Sequence, residues 1–367
     1  MLRDGHIALG EVSWECGRFV EHADAAVDAL PAGWIIAPGF VDVQVNGFAG
    51  AEIGTSAVAN AHVARALPAT GVTAFCPTLV TRSDADARAA VSTLSATAWP
   101  RDGARSLGIH CEGPFLAHGH LGVHDPQHRR DPTASEVSAM LGDARPRIVT
   151  IAPELPDAID AIRTMSRSGV LVAVGHTGAD AETARRAFDA GARFVTHALN
   201  AMPGISARAP GVLGAALADR RVRIGVIGDG VHVDPTVLGL LAKLAGSRLV
   251  LVSDAVAAAG STPGTYRLGG RIVESDGLAV RTRDGRLAGS SQGIDVGVRS
   301  LVAAGVSVVA ALFAASVAPR RLLGLPAPWT VGDAADVVVL DDSLTLRRTI
   351  ANGHCVFSAR QPSSRDG

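Results

Sequence analysis

Four polar residues interrupt otherwise apolar surroundings: Glu112 in IHCEGPF, His176 in VGHTG, His197 in VTHALN and Asp254 in LVLVSDAVAAAG. One carboxylate and two imidazoles form a common catalytic metal set, three protein ligands with a fourth position open to water. Asp254 closes an almost wholly apolar run, and a carboxylate buried there needs a partner because an unpaired buried charge is very costly. It reads as a base beside that water; capping the following segment is the plain structural alternative. A lone histidine is more often a hydrogen-bonded core residue than a ligand, so the reading depends on several converging. His118, His120, His124 and His128 crowd the loop HGHLGVHDPQH, where Pro126 breaks helical spacing. A loop cluster of this kind could be mistaken for a separate metal site, but it is more often solvent-exposed by chance.

Residues so distant in sequence can meet only if the fold gathers them. From Trp34 onward the chain repeats one phrase, a short Val- and Ile-rich run, a polar cluster and an Ala-rich helical stretch. Continuous apolar runs suit parallel strands buried on both faces. Strands are expected near 34–46, 72–80, 106–112, 147–153, 170–176, 193–199, 222–229 and 248–254. Eight such units predict an α/β fold, a (β/α)8 TIM barrel, since parallel connections keep one hand. Barrel strands share one mouth at their carboxyl ends, where catalytic residues sit. Those ends carry Gln44 and Asn46, then Glu112, His176, His197, His232 and Asp254. An open doubly wound sheet is the competitor, weakened because no Gly-rich phosphate fingerprint follows the first strand.

The length of 367 residues exceeds the roughly 250 that a barrel takes. Residues 1–37 and 325–367 read as short alternating strands, expected to join as a small β-sandwich-like domain beside a barrel at 38–324. TYRLGGRIVESDGLAVRTRDGRLAGS is a hairpin-like insertion after strand eight, and SARQPSSRDG a frayed tail. A formal net charge of −1 with 19% charged residues gives no basic field for nucleic acid. No apolar run reaches the roughly 20 residues that span a membrane, and no secretory signal opens the chain; the default location is cytoplasmic. Cys16, Cys76, Cys111 and Cys355 lack the spacing of a zinc ribbon or a disulfide framework.

APGFVDVQVNG, HCEGPF, GVH, GHTGA, THALNAMPG, GDGVHVD, VSDAVAAAG and LAGS follow one another from about Pro38 to Ser290. This succession resembles the N-acetylglucosamine-6-phosphate deacetylases of the amidohydrolase superfamily. The resemblance implies hydrolysis of the acetamide of N-acetyl-D-glucosamine 6-phosphate to D-glucosamine 6-phosphate and acetate. It implies one divalent ion per subunit on Glu112, His176 and His197, zinc being expected and iron, cobalt or manganese the alternatives. Asp254 matches the acid/base, and His124 the residue that polarises the scissile carbonyl. Val123, Asn200, Ala201, His232, Leu287, Ala288 and Gly289 match substrate contacts. His232 and Arg208 would hold the phosphate, Arg208 being lent by the partner in a homodimer.

Binuclear members of the superfamily carry HxH on strand one and often a carbamylated lysine on strand four. Here the first motif is Gln44-x-Asn46, and neutral amides replace imidazole poorly. Strand four ends IAPE, and the chain's only lysine is Lys243; a single ion is therefore expected, although Glu154 could be read as an extra ligand. Leu121 stands where the family has lysine, and Gln292, Gly293 and Ile294 replace its LTM. These departures leave open N-acetylgalactosamine 6-phosphate or another N-acyl amino-sugar phosphate as substrate. A catalytically silent sugar-phosphate sensor and a structural metal protein are the readings from other classes.

Overall fold

The structure is a computed structural model that describes residues 1–3, 6–7, 10–21 and 29–359. Of the tail expected to fray, residues 360–367 lie outside the described residues, as do parts of the N-terminal segment.

Eight parallel strands form the barrel: β1 (Phe40–Val45), β2 (Val72–Val80), β3 (His110–Glu112), β4 (Ile148–Ile151), β5 (Leu171–Val174), β6 (Phe194–Val195), β7 (Arg223–Ile227) and β8 (Leu249–Val252). Each pairs with the next in sequence, from β1·β2 through β7·β8. Alternation along these strands separates two cores, as the two-residue period of a strand requires. Ala74, Cys76, Ile148, Ala173, Phe194, Val250 and Val252 join Val41 and Val43 in one cluster. Their neighbours Phe75, Val149, Val172, Val174, Val195 and Leu251 belong to the larger cluster shared with the helices. Several helices begin as the sequence suggests, with Ser56, Ser83 and Asp180 accepting from the backbone N–H three residues on.

The expected first strand, 34–46, is divided in two. Ile35–Pro38 pairs antiparallel with Val337–Leu340 in a four-stranded sheet built otherwise from the C-terminal segment. Phe40–Val45 enters the barrel. Gly39 is the joint, and a Cβ there would lie 2.2 Å from Thr73 Oγ1, so only glycine lets the backbone pass. Strand 106–112 is likewise interrupted, with Gly108 in the left-handed region between Arg105–Ser106 and β3. The insertion after β8 is an antiparallel sheet of four strands, Gly264–Leu268, Arg271–Ser275, Ala279–Thr282 and Leu287–Ser290.

Between β8 and β1 the ring is joined by side chains as much as by ladder bonds. Asn46 N–H donates to Ala255 O (2.8 Å), and Ser253 N–H to the Asp42 carboxylate (3.3 Å). Asp42 is 1% exposed and its Oδ2 has no hydrogen-bond partner. Burial pushes its carboxyl up to about 6, against bonds from Ser253 and Gln44 that lower it. A raised carboxyl stabilises the fold fully below its unfolded value, and that contribution is lost as pH rises through the folded one. Asp42→Asn should therefore melt higher than the parent above pH 7, by on the order of 2–3 kcal/mol for a shift of this size. The difference should vanish below pH 4 in thermal melts; a lower melting point for the variant at pH 8 would contradict this assignment.

Candidate active site

At four strands the second residue past the strand end is polar: His176 after β5, His197 after β6, Asp229 after β7 and Asp254 after β8. His176, His197 and Asp254 have φ of 51°, 25° and 51°, a left-handed conformation uncommon for residues with a side chain. Turning the chain there directs each side chain back over the barrel mouth rather than out among the helices. Such strain, of order 1–3 kcal/mol per residue, persists where surrounding structure enforces it and clusters at functional sites.

Glu112, the last residue of β3, meets the two histidines. Its Oε1 lies 3.1 Å from His176 Nε2 and 3.0 Å from His197 Nε2, and the two Nε2 atoms are 3.1 Å apart. His176 Nδ1–H donates to His120 O (2.9 Å), which leaves the Nε2 lone pair facing the other two atoms. Gln44 Nε2–H donates to the same Glu112 oxygen (2.7 Å), while Thr196 Oγ donates to Gln44 Oε1. Burial alone would raise the Glu112 carboxyl; the rings of His124, His176 and His197 around it outweigh that effect and hold it well below the usual range. Three electron-rich atoms are thus packed together away from water. Their separations approach the roughly 3.3 Å edge of a tetrahedron with bonds of 2.0–2.1 Å, so the donor set fits a divalent cation. Among the described residues this is the only such cluster of possible ligands. Glu154 is turned elsewhere, accepting from Gly178 N–H (2.7 Å) and Thr177 Oγ–H (2.5 Å).

Asn46 Nδ2–H donates to Asp254 Oδ1 (2.8 Å) and anchors the carboxylate beside this cluster. Burial first, and then the Glu112 charge, push the Asp254 carboxyl up to about 8. His124 is buried, and its Nδ1 accepts from Thr81 N–H (3.1 Å). The ring proton must therefore sit on Nε2, which lies 3.6 Å from Glu112 Oε2 and can donate to a bound oxygen.

These groups line a cavity of about 600 Å³ together with Val123, Asn200, Ala201, His232, Leu287, Ala288 and Gly289. Every residue named from the sequence as a site residue is there except Arg208, which is exposed and lies outside this chain's own cavity. Two arginines on its wall escaped the sequence reading. Arg271 donates to Val123 O and Arg286 to Gly122 O, each at 3.2 Å, pinning the backbone just before His124. Both lie in the insertion, whose alternating pattern announces strands but not what they cover. His118 and His120, set aside as loop histidines, also border the cavity, and His120 serves through its carbonyl.

Comparisons with known proteins point to one group. Residues 35–362 match the amidohydrolase family. The chain is 39% identical over 347 residues to an N-acetylglucosamine-6-phosphate deacetylase of Bos taurus, covering 90% of this chain and 85% of that one. It is 33% identical over 354 residues to an N-acetylgalactosamine-6-phosphate deacetylase of Escherichia coli O157:H7, covering 92% and 93%. A solved structure of an N-acetyl-D-glucosamine-6-phosphate deacetylase variant from Mycobacterium smegmatis, in complex with N-acetyl-D-glucosamine-6-phosphate, superposes with a TM-score of 0.86. Its identity is 34%, with 95% of this chain and 94% of that one covered.

Protein stripped with chelator and titrated with Zn²⁺ in a calorimeter should take up one ion per chain, and His197→Asn should abolish uptake. Gln44→Ala leaves the three ligands in place but removes the hydrogen bonds to Glu112 and from Thr196, and should weaken binding about 10–100-fold. Uptake in His197→Asn equal to that of the parent would place the ion elsewhere.

Proposed function

The chain belongs to the amidohydrolase family, and on that premise we propose that it hydrolyses the acetamide of N-acetyl-D-glucosamine 6-phosphate, releasing acetate and D-glucosamine 6-phosphate. The observation that carries this reading is the cluster of Glu112, His176 and His197 with Asp254 and His124 beside it, all in one cavity. The named relatives support the substrate. One divalent ion held by Glu112, His176 and His197, for which zinc is our expectation, would supply a nucleophilic water at neutral pH and polarise the amide carbonyl.

The chain's own groups do the rest. Asp254, held by Asn46, takes a proton from the attacking water and passes it to the departing nitrogen, because an amine leaves readily only when protonated. Asp254 thus acts first as base and then, once it carries the proton, as acid. His124 donates from Nε2 to the oxygen on which charge develops; a donor so placed is worth about 10²–10³ in kcat. Asn200, Ala201 and His232 receive the sugar phosphate, and grip on that remote group fixes the carbonyl for attack.

Arg208 is assigned to the partner's site in a homodimer. It is exposed and forms no ion pair among the described residues. Ile205, three residues before it, is 52% exposed, and helix Pro235–Ala245 exposes Val237, Leu240 and Leu244 along one face. Apolar surface of this kind favours a protein partner.

Acetate release by metal-replete protein tests the activity, and initial rates on the glucosamine and galactosamine 6-phosphates choose between the two epimers. Undetectable turnover of both would favour a sugar-phosphate sensor. Asp254→Asn should retain its metal yet lose about 10²–10⁴ in kcat; normal turnover would remove Asp254 from the chemistry. Arg208→Ala should raise KM by about tenfold or more, as expected for the loss of charged hydrogen bonds, with kcat little changed. An unchanged KM would count against phosphate recognition by this residue.

A further inference from the structure

Asp229 is a buried carboxylate for which the reaction above has no use. Its side chain is 3% exposed, and all four of its close contacts are donors. Oδ1 accepts from Val231 N–H and His232 N–H, both at 2.9 Å. Oδ2 accepts from His232 Nδ1–H at 2.8 Å and from Ser290 Oγ–H at 2.7 Å. Burial would raise this carboxyl, but the bonds from His232 and Val231 outweigh it and bring it to about 2, so the group is a fixed negative charge. Among the described residues His232 is the only ion-pair partner it has. Asp229 also occupies the same place past its strand as His176, His197 and Asp254.

The network reaches two further walls of the cavity. Ser290 ends the strand Leu287–Ser290, and its N–H donates to Asp254 O (2.9 Å) while its carbonyl accepts from Val256 N–H (3.1 Å). One carboxylate thereby ties together the turn bearing His232, the strand bearing Leu287, Ala288 and Gly289, and the turn bearing Asp254.

We propose that Asp229 is the positioning residue for His232: it fixes the proton on Nδ1, turns Nε2 toward the cavity, and balances the ring's positive charge when Nε2–H donates to the substrate's phosphate. This rests on the deacetylase reading above, in which His232 meets the sugar phosphate. An anion cannot be held by the lone pair of a neutral Nε2; the ring must carry both protons, and a buried ring so charged needs a counter-charge behind it. Asparagine cannot replace Asp229 in this role. If its oxygen stays on the two backbone N–H groups, its NH2 faces His232 Nδ1, which must become an acceptor. The ring proton then moves to Nε2 and the counter-charge is gone, as when the carboxylate behind a catalytic histidine is amidated.

Binding of the product, D-glucosamine 6-phosphate, measured by calorimetry on metal-replete enzyme provides the test. Asp229→Asn should weaken it at least tenfold and Ser290→Ala two- to threefold. In kinetics the loss in Asp229→Asn should fall on KM for the phosphorylated substrate more than on kcat. The coupling between sites separates positioning from simple loss of structure: in a His232→Gln background Asp229→Asn and Ser290→Ala should add nothing. ¹⁵N NMR, with His232→Gln identifying the signal among the 12 histidines, should show the proton leaving Nδ1 in Asp229→Asn. If Asp229→Asn fails to fold, Ser290→Ala with and without His232→Gln carries the comparison. Affinity unaltered in Asp229→Asn, or losses that simply multiply with that of His232→Gln, would overturn the role while leaving the deacetylase reading intact. A wild-type enzyme that releases no acetate and binds no glucosamine 6-phosphate would end both.

Discussion

Three electron-rich atoms within 3.1 Å of one another, on side chains that are almost fully buried, are the constraint on which the rest of the structure turns. Left alone, a carboxylate and two imidazole lone pairs repel, and burial weakens the screening that would relieve it. The arrangement makes sense only as a receptor for positive charge. Its neighbours are matched to that purpose: His120 O sets the proton on the far side of the His176 ring, and Gln44 holds the Glu112 oxygen from behind.

Strand one shows how the same backbone positions can be put to another use. Gln44 and Asn46 point into the mouth where ligands could stand, yet each amide steadies a carboxylate, Gln44 that of Glu112 and Asn46 that of Asp254. An amide donates one hydrogen to the carboxylate and keeps its oxygen for another partner, here the Thr196 hydroxyl in the case of Gln44. Two carboxylates thus work side by side with opposite tendencies. Glu112, faced by three rings, is held low, and Asp254, close to that charge and given one amide, is pushed upward. Divergent environments for paired acids are what assigns one to binding and the other to proton transfer.

The insertion after β8 completes the cavity from the side. Its apolar face, Leu268, Val273, Val280 and Ala288, packs with Val80 and Val256, and Val123 leans against it. Arg271 and Arg286 then fasten the backbone of Gly122 and Val123. His124 is consequently held from two directions, by the Thr81 amide behind its ring and by the strapped loop in front. Gly122, at φ of 59°, lets that loop turn beneath the strap.

Much of this was legible in the residue order. Apolar runs at barrel spacing announced eight strands because a strand buried on both faces must be apolar throughout, and polar residues at their ends stood out against that background. Glu112, His176, His197 and Asp254 were therefore readable as a set, whereas His124, in a loop, was marked only by the resemblance to the family. Periodicity could not say that 34–46 serves two sheets, since an extended run reads the same in either and the break depends on Thr73 crowding Gly39 from another strand. Nor could it place Arg271 and Arg286 on the cavity wall, or Arg208 outside it, because a charged residue in a loop or hairpin reads the same whichever way it faces. Asp229, three residues before His232, looks in sequence like an ordinary turn aspartate. Only the packing of Ser290 and the His232 ring against it makes it a buried charge, and contacts between residues 61 apart are decided by the fold alone.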